Sequence, residues 1–292
     1  MRIAVVAPSS RFSEQAADRV RSLAATDFPE VDLVFHPQCF LASNHFAGTD
    51  SDRADALVEV ANDPAVDAVW FARGGYGACR IAEPALARMG PTARDKIYLG
   101  YSDGGYLLAG LYRAGFPYVA HGPMPQDIMR DGGEAAVARA LAWLTCGSHD
   151  ALEPSLEAGH KYAAFNITVL GLLLGTPLQP DLGGHVLLLE EVSEQMYRTD
   201  RAMFHLTGNP AVRSVAGVRL GRCTDILEND PDFGQSEEQV VRYWCERAGI
   251  SYFGRADIGH DSANRVVPFG PSGTLTSLNP QKSQSSGRKT AF

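Results

Sequence analysis

The stretch that decides the fold is Lys96-Ile97-Tyr98-Leu99-Gly100-Tyr101-Ser102-Asp103-Gly104-Gly105-Tyr106-Leu107-Leu108. An apolar, partly β-branched run from Lys96 to Tyr101 reads as a strand. Leu107, Leu108 and Leu111 then recur at helical spacing. Between them lies Gly100-x-Ser102-x-Gly104, a strand-to-helix turn with small flanking residues. In that context G-x-S-x-G describes a nucleophile elbow, in which a tight turn lifts a serine hydroxyl above the sheet edge. A plain turn with a serine cap would show the same letters.

The same alternation extends in both directions. Strand-like runs occur at Ile3–Ala7, Val31–Phe35, Ala68–Phe71 and Tyr118–His121, and helical spacing at Ser13–Ala25, Asp52–Asn62 and Ala135–Leu144. Such alternation predicts an α/β domain over 1–145, with a largely parallel sheet and helices on both faces. The weakly periodic stretch 146–165, with Gly147, Pro154 and Gly159, reads as a linker. A second, smaller, β-rich α/β unit is expected over 166–280. Its signals are strands at Val186–Leu189, Ser214–Leu220, near Tyr252 and at Arg265–Phe269. Its helices are Tyr197–Leu206 and one opened by the capping box Ser236-Glu237-Glu238-Gln239. Residues 281–292 form a polar tail.

The whole-chain numbers limit the choices. The chain has 292 residues, 45% of them hydrophobic, which suits one large or two ordinary domains. A net charge of -8 disfavours nucleic acid and anionic membrane surfaces as partners. The basic residues are 22 Arg and 4 Lys with no basic run, a usage bias and not a binding patch. Five widely spaced cysteines without C-x-x-C spacing argue against a disulfide framework and a cysteine-rich zinc site. With no signal-peptide pattern and no apolar run of about 20 residues, the reading is a cytoplasmic protein.

A serine nucleophile needs a base and an acid that orients it. Two histidines stand in suitable places. His121 ends a strand before Gly122-Pro123-Met124, and His260 lies in the loop Asp257-Ile258-Gly259-His260-Asp261. The residues alone leave both open, and Asp257, His260 and Asp261 also allow a metal reading. Glu190 and Glu191 end an apolar strand, and because neighbours on a strand face opposite ways only one can serve. The helix start places the Asp103 N–H beside a developing oxyanion. Arg73-Gly74-Gly75-Tyr76-Gly77 could supply the second half of that cradle, though it lacks the phosphate-loop signatures.

Together these segments resemble the LD-carboxypeptidase family, which includes muramoyl-tetrapeptide carboxypeptidases and microcin-immunity peptidases. The resemblance runs from Ile3-Ala4-Val5-Val6-Ala7-Pro8-Ser9-Ser10 to about Gly270. It takes in the glycine-rich loop with Arg80, the Ser102-Asp103 turn, His121-Gly122-Pro123-Met124 and Leu173-Leu174-Gly175-Thr176-Pro177. It continues through Leu189-Glu190-Glu191-Val192 with Tyr197-Arg198-Thr199-Asp200-Arg201, and through Gly259-His260 with Val266-Val267-Pro268-Phe269-Gly270. It implies Ser102 as nucleophile, His260 as base, Glu190 as orienting acid, and backbone N–H groups of Gly75 and Asp103 as the oxyanion hole. His121 becomes structural. No metal or organic cofactor is implied, the substrate is a small peptide such as murein tetrapeptide, and homodimers are common. Arg73 and Arg80 are both available for a substrate carboxylate.

The chain departs from the family at Glu191, where an aspartate is usual, at Gly104-Gly105-Tyr106, and at Ala164-Phe165-Asn166 in place of Gly-Gly-Asn. These positions bear on the pocket walls. The rival functions are a microcin-immunity-type peptidase acting on a peptidyl-nucleotide, for which Trp70, Trp143 or Trp244 could stack, a non-catalytic muropeptide-binding module, and a generic α/β-hydrolase esterase.

Overall fold

In a computed structural model of the protein, residues 1–272 are described, and the polar tail lies outside them. The first half folds as β1 (Arg2–Val6), α1 (Glu14–Asp27), β2 (Asp32–Phe35), α2 (Asp50–Asn62), β3 (Ala68–Phe71), α3 (Ala78–Leu86), β4 (Ile97–Gly100), α4 (Gly105–Arg113), β5 (Val119–His121) and α5 (Gly133–Cys146). Strands β1 to β5 pair in parallel in the order β5-β4-β3-β1-β2. Strands β3, β4 and β5 are buried along their whole length and β1 is buried after Arg2, as a parallel sheet sandwiched by helices requires, while the edge strand β2 is half-buried. Val69 and Phe71 pack towards α2, α3 and α4, while Ala68 and Trp70 pack towards α1 and α5.

The second half holds β6 (Lys161–Asn166), α6 (Ile167–Leu173), β7 (His185–Val192), α7 (Met196–Gly208), α8 (Pro210–Arg213), β8 (Gly217–Thr224), α9 (Glu237–Ala248) and β9 (Tyr252–Arg255). Strands β6 to β9 are parallel and adjacent in sequence order. Two short strands, β10 (Val267–Pro268) and β11 (Gly270–Pro271), are the last elements of the described residues. The protein is thus mixed α/β with two mostly parallel sheets, and no helix among the described residues is long and apolar enough to cross a membrane.

Two expectations need correction. The stretch 146–165 is not a plain linker, because Lys161–Asn166 forms β6 beside β7. Tyr162-Ala163-Ala164-Phe165 is buried throughout, so it shows no polar–apolar alternation to read. Nor does the segment 166–280 stay with its own sheet. β10 pairs antiparallel with β5 of the first sheet, and β11 then pairs with β6 of the second. Phe269, between them, packs its ring against Tyr112 of α4 and Phe165 of β6.

Candidate active site

The C-terminal ends of parallel strands are where α/β sheets collect functional groups. Here β1, β3 and β4 end at Ser9-Ser10, Arg73–Gly77 and Ser102-Asp103. Ser102 adopts φ 57, a left-handed conformation costly for a residue with a Cβ and expected of an elbow nucleophile. Gly74 packs against it: a Cβ at 74 would lie 2.8 Å from Ser102 Oγ. The glycine at 75, at φ 101, packs against Ser10 on the opposite side, where a Cβ would collide with Ser10 Oγ.

The direction of one peptide follows from this. Gly74 O accepts from Ser10 N on the β1 side. In a trans peptide the next N–H points the other way, so Gly75 N–H turns towards the β4 side, where Ser102 lies. Asp103 N–H opens the helical turn that runs into α4. Neither N–H has a hydrogen-bond acceptor among the described residues.

The Asp103 side chain has a separate task. Its carboxylate accepts from Ser9 Oγ at 2.5 Å and from Ala78 N at 2.8 Å, tying the nucleophile turn to the end of β1 and the start of α3. Burial pushes this carboxyl up, against the pull of those donors. Behind it lies Arg53 of α2, fully buried. It donates to Pro8 O at 2.6 Å and Gly77 O at 2.9 Å, and it is paired with Asp50. Nothing in the α2 sequence marks this arginine; the capping box Thr49–Asp52 only marks the helix start.

The candidate base and acid come from the second half. On β7, Val186 and Leu188 face the packing of Ala256 and Ile258, while Leu187 and Leu189 face the larger core. The strand period then carries Glu190 to the side of the 256–264 loop and Glu191 to the side of α6. Glu190 Oε2 lies 2.6 Å from His260 Nδ1, both residues buried. Glu191 instead accepts from Asn166 Nδ2, Thr168 N and Thr168 Oγ1, holding the start of α6. Burial is the largest influence on His260 and lowers its pKa. The charge and hydrogen bond of Glu190, helped by Asp127, outweigh it, so the net direction is upward.

The His260 ring lies on Tyr101, the residue before Ser102, at 4.8 Å between centroids. Its Nε2 has no hydrogen-bond partner, and Ser102 Oγ makes no hydrogen bond to it. Ligand-free catalytic pairs commonly tighten only in the substrate complex. Glu190 and His260 are brought into contact, and the His260 ring lies on Tyr101, which directly precedes Ser102.

His121 is a support. It is buried, its ring packs on Tyr101, and its Nε2 pairs with Asn264 Oδ1 at 3.1 Å. Burial drops its pKa to about 4, so it stays neutral. Asn264 also accepts from Gly259 N, so the two histidine segments share one amide. The metal reading of Asp257, His260 and Asp261 loses its ligands to other partners: both aspartates pair with Arg222, and His260 Nδ1 is held by Glu190. The tryptophans do not offer a stacking surface either. Trp70 and Trp143 are core residues, and Trp244 packs with Phe204 and Tyr243 while donating to Asp200.

Comparison with known proteins places the chain in a family. The LD-carboxypeptidase N-terminal domain matches residues 3–122, and the C-terminal domain matches residues 162–275. A protein of Streptomyces coelicolor named as a carboxypeptidase is 31% identical over 96% of this chain and 94% of its own. The chain belongs to the LD-carboxypeptidase family. The murein tetrapeptide carboxypeptidase of Pseudomonas aeruginosa is 27% identical over 94% of this chain and 92% of its own. Among solved structures, the muramoyltetrapeptide carboxypeptidase from Oxalobacter formigenes superposes with a TM-score of 0.75 at 21% identity, covering 92% of this chain and 93% of that one. The microcin C7 self-immunity protein, in complex with aspartyl sulfamoyl adenosine, does so at 0.72 and 17%, covering 92% and 91%. At these identities the two structures speak for the fold.

Proposed function

We propose that this LD-carboxypeptidase family member is a serine carboxypeptidase that hydrolyses an L,D amide bond, removing terminal D-alanine from murein tetrapeptide during cytoplasmic cell-wall recycling. The observation that carries the reading is His260: its Nδ1 is held by Glu190 at 2.6 Å, its Nε2 is uncommitted, and its ring lies on Tyr101, the residue before the strained Ser102. The murein peptide carboxypeptidases among its relatives support the substrate class.

In this reading Ser102 Oγ attacks the scissile carbonyl and His260 Nε2 takes its proton. Glu190 keeps the imidazole in the tautomer with Nε2 free, and stabilises the imidazolium that forms. Gly75 and Asp103 N–H groups receive the oxyanion, each worth about 3 kcal/mol in the transition state. His260 then protonates the leaving amine, and water hydrolyses the acyl-enzyme.

A second reading, hydrolysis of a peptidyl-nucleotide, has one observation in its favour. Tyr76 on the glycine-rich loop is half exposed, with His45 and Phe46 about it at 6.2 and 6.0 Å between ring centroids. That is an aromatic face on which a base could stack. Parallel turnover of an L,D-tetrapeptide, its all-L counterpart and aspartyl sulfamoyl adenosine separates the readings. Preference for the L,D peptide supports the proposal. Preference for the nucleotide conjugate would replace it with the second.

A further inference from the structure

We infer that Arg73, assisted by Arg11, receives the carboxylate of the departing C-terminal residue and so makes the enzyme a carboxypeptidase; the inference rests on the serine-peptidase reading. In the leaving residue only the amide nitrogen and one α-carbon separate the scissile carbonyl from the terminal carboxylate. The cation that reads it must therefore stand next to the nucleophile. Arg73 does. It directly precedes Gly74, at which a Cβ would lie 2.8 Å from Ser102 Oγ, and it stands just past the end of β3, the strand beside β4.

Charge accounting separates this arginine from its neighbours. Arg53 and Arg80 share Asp50, Arg130 has Asp127, and Arg222 has Asp257 and Asp261. Among the described residues Arg73 and Arg11 pair with no carboxylate. Among the described residues the one hydrogen bond of the Arg73 side chain is from Nη1 to the carbonyl oxygen of Arg11 at 3.2 Å. Its guanidinium is partly buried, and burial followed by the like charge of Arg11 pulls its pKa down, with no acid acting against them. A partly desolvated cation beside a second cation is unfavourable on its own. An anion arriving between them relieves both costs, and a guanidinium fork suits a carboxylate.

Arg80, the other arginine of the glycine-rich segment, is excluded by the same accounting. It is exposed, its Nε donates to both oxygens of Asp50, and its guanidinium lies over the Phe46 ring.

The test is a two-by-two comparison of kcat/KM: wild type and Arg73→Gln, each on an L,D-tetrapeptide with a free C-terminal carboxylate and on its carboxamide. Wild type is expected to lose roughly a hundredfold on the carboxamide, and Arg73→Gln a similar factor on the free acid. On the carboxamide the variant should lose nothing further, because the interaction is already absent. Arg73→Lys should recover part of the activity on the acid alone. Equal losses on both substrates, or no loss on either, overturn the inference. Labelling of Ser102 by a fluorophosphonate, run on the same proteins, keeps the two failures apart. Normal labelling with no carboxylate preference sinks only the role of Arg73. Absent labelling in wild type sinks the serine mechanism, and calorimetric binding of the acid and the carboxamide then decides for Arg73: tighter binding of the acid by wild type alone supports it, equal binding overturns it.

Discussion

Ser102 holds a left-handed backbone that any β-carbon resists, and the strain persists because the turn around it is fixed from several sides. Asp103 is anchored to Ser9 and Ala78, and Gly74 leaves room for the hydroxyl. Gly74→Ala puts a methyl 2.8 Å from Ser102 Oγ and should cost at least a hundredfold in kcat, with a smaller effect on melting temperature because the turn lies past the C-terminal ends of the strands, outside the hydrophobic clusters. Steady-state kinetics beside a thermal melt checks both halves. The His260–Glu190 pair makes a pH prediction. His260 must be neutral at Nε2 to act as base, and its pKa is raised above the usual histidine value. Activity should therefore fall as pH drops through a value above about 6.5. Glu190→Gln removes the charge that raises it and leaves burial, which lowers it. The acid limb should move to lower pH while kcat falls roughly a thousandfold or more. A pH–rate profile of both proteins reads the sign, and a limb that stays put in the variant contradicts the pairing.

At the scale of elements, α2 supports a site it does not enter. Arg53 bridges the end of β1 to the glycine-rich loop. Arg53→Met keeps the stem but leaves Pro8 O and Gly77 O without their donor. Each orphaned buried acceptor costs about 1–3 kcal/mol, so a destabilisation of about 2–5 kcal/mol is expected in denaturant unfolding, with kcat reduced as the loop loosens. The elements of the first sheet were legible wherever a short apolar run met a glycine or a helical spacing. Ala68–Phe71 is a strand with the bounds its four apolar residues suggest. α3 gave no such signal, since it opens from the glycine loop and carries Pro84 within it. Glu190 and Glu191 mark the end of an apolar run in the sequence, yet β7 continues through both to Val192. Buried carboxylates are tolerated inside a strand only with partners, and the partners, His260 and Thr168, are far off in the chain. Alternation along β7 did determine that the two acids part company, one to the histidine loop and one to α6. Arg53 and Asn264 were illegible because their value lies in backbone carbonyls and amides supplied by other segments.

At the scale of the molecule, residues 266–271 join the halves. Val266 pairs with Leu152, β10 joins the first sheet and β11 the second. Glu153, in the stretch between the halves, accepts from Asp257 N and so steadies the loop that carries His260. Phe269 is 2% exposed in the seam, and Phe269→Ala should cost about 3–5 kcal/mol. Because both sheets share this seam, the described halves should melt together in one calorimetric transition, earlier in the variant. Two separated transitions in wild type would contradict the coupling. The same seam lets the His260 ring of one half lie on Tyr101 of the other, and the central claim of the proposal is that Glu190 and His260 act there on Ser102. Its most direct test is mass spectrometry of L-Ala-γ-D-Glu-meso-diaminopimelate-D-Ala incubated with wild type and with Ser102→Ala. Release of D-alanine by wild type alone is the predicted result, and release by both proteins would contradict it.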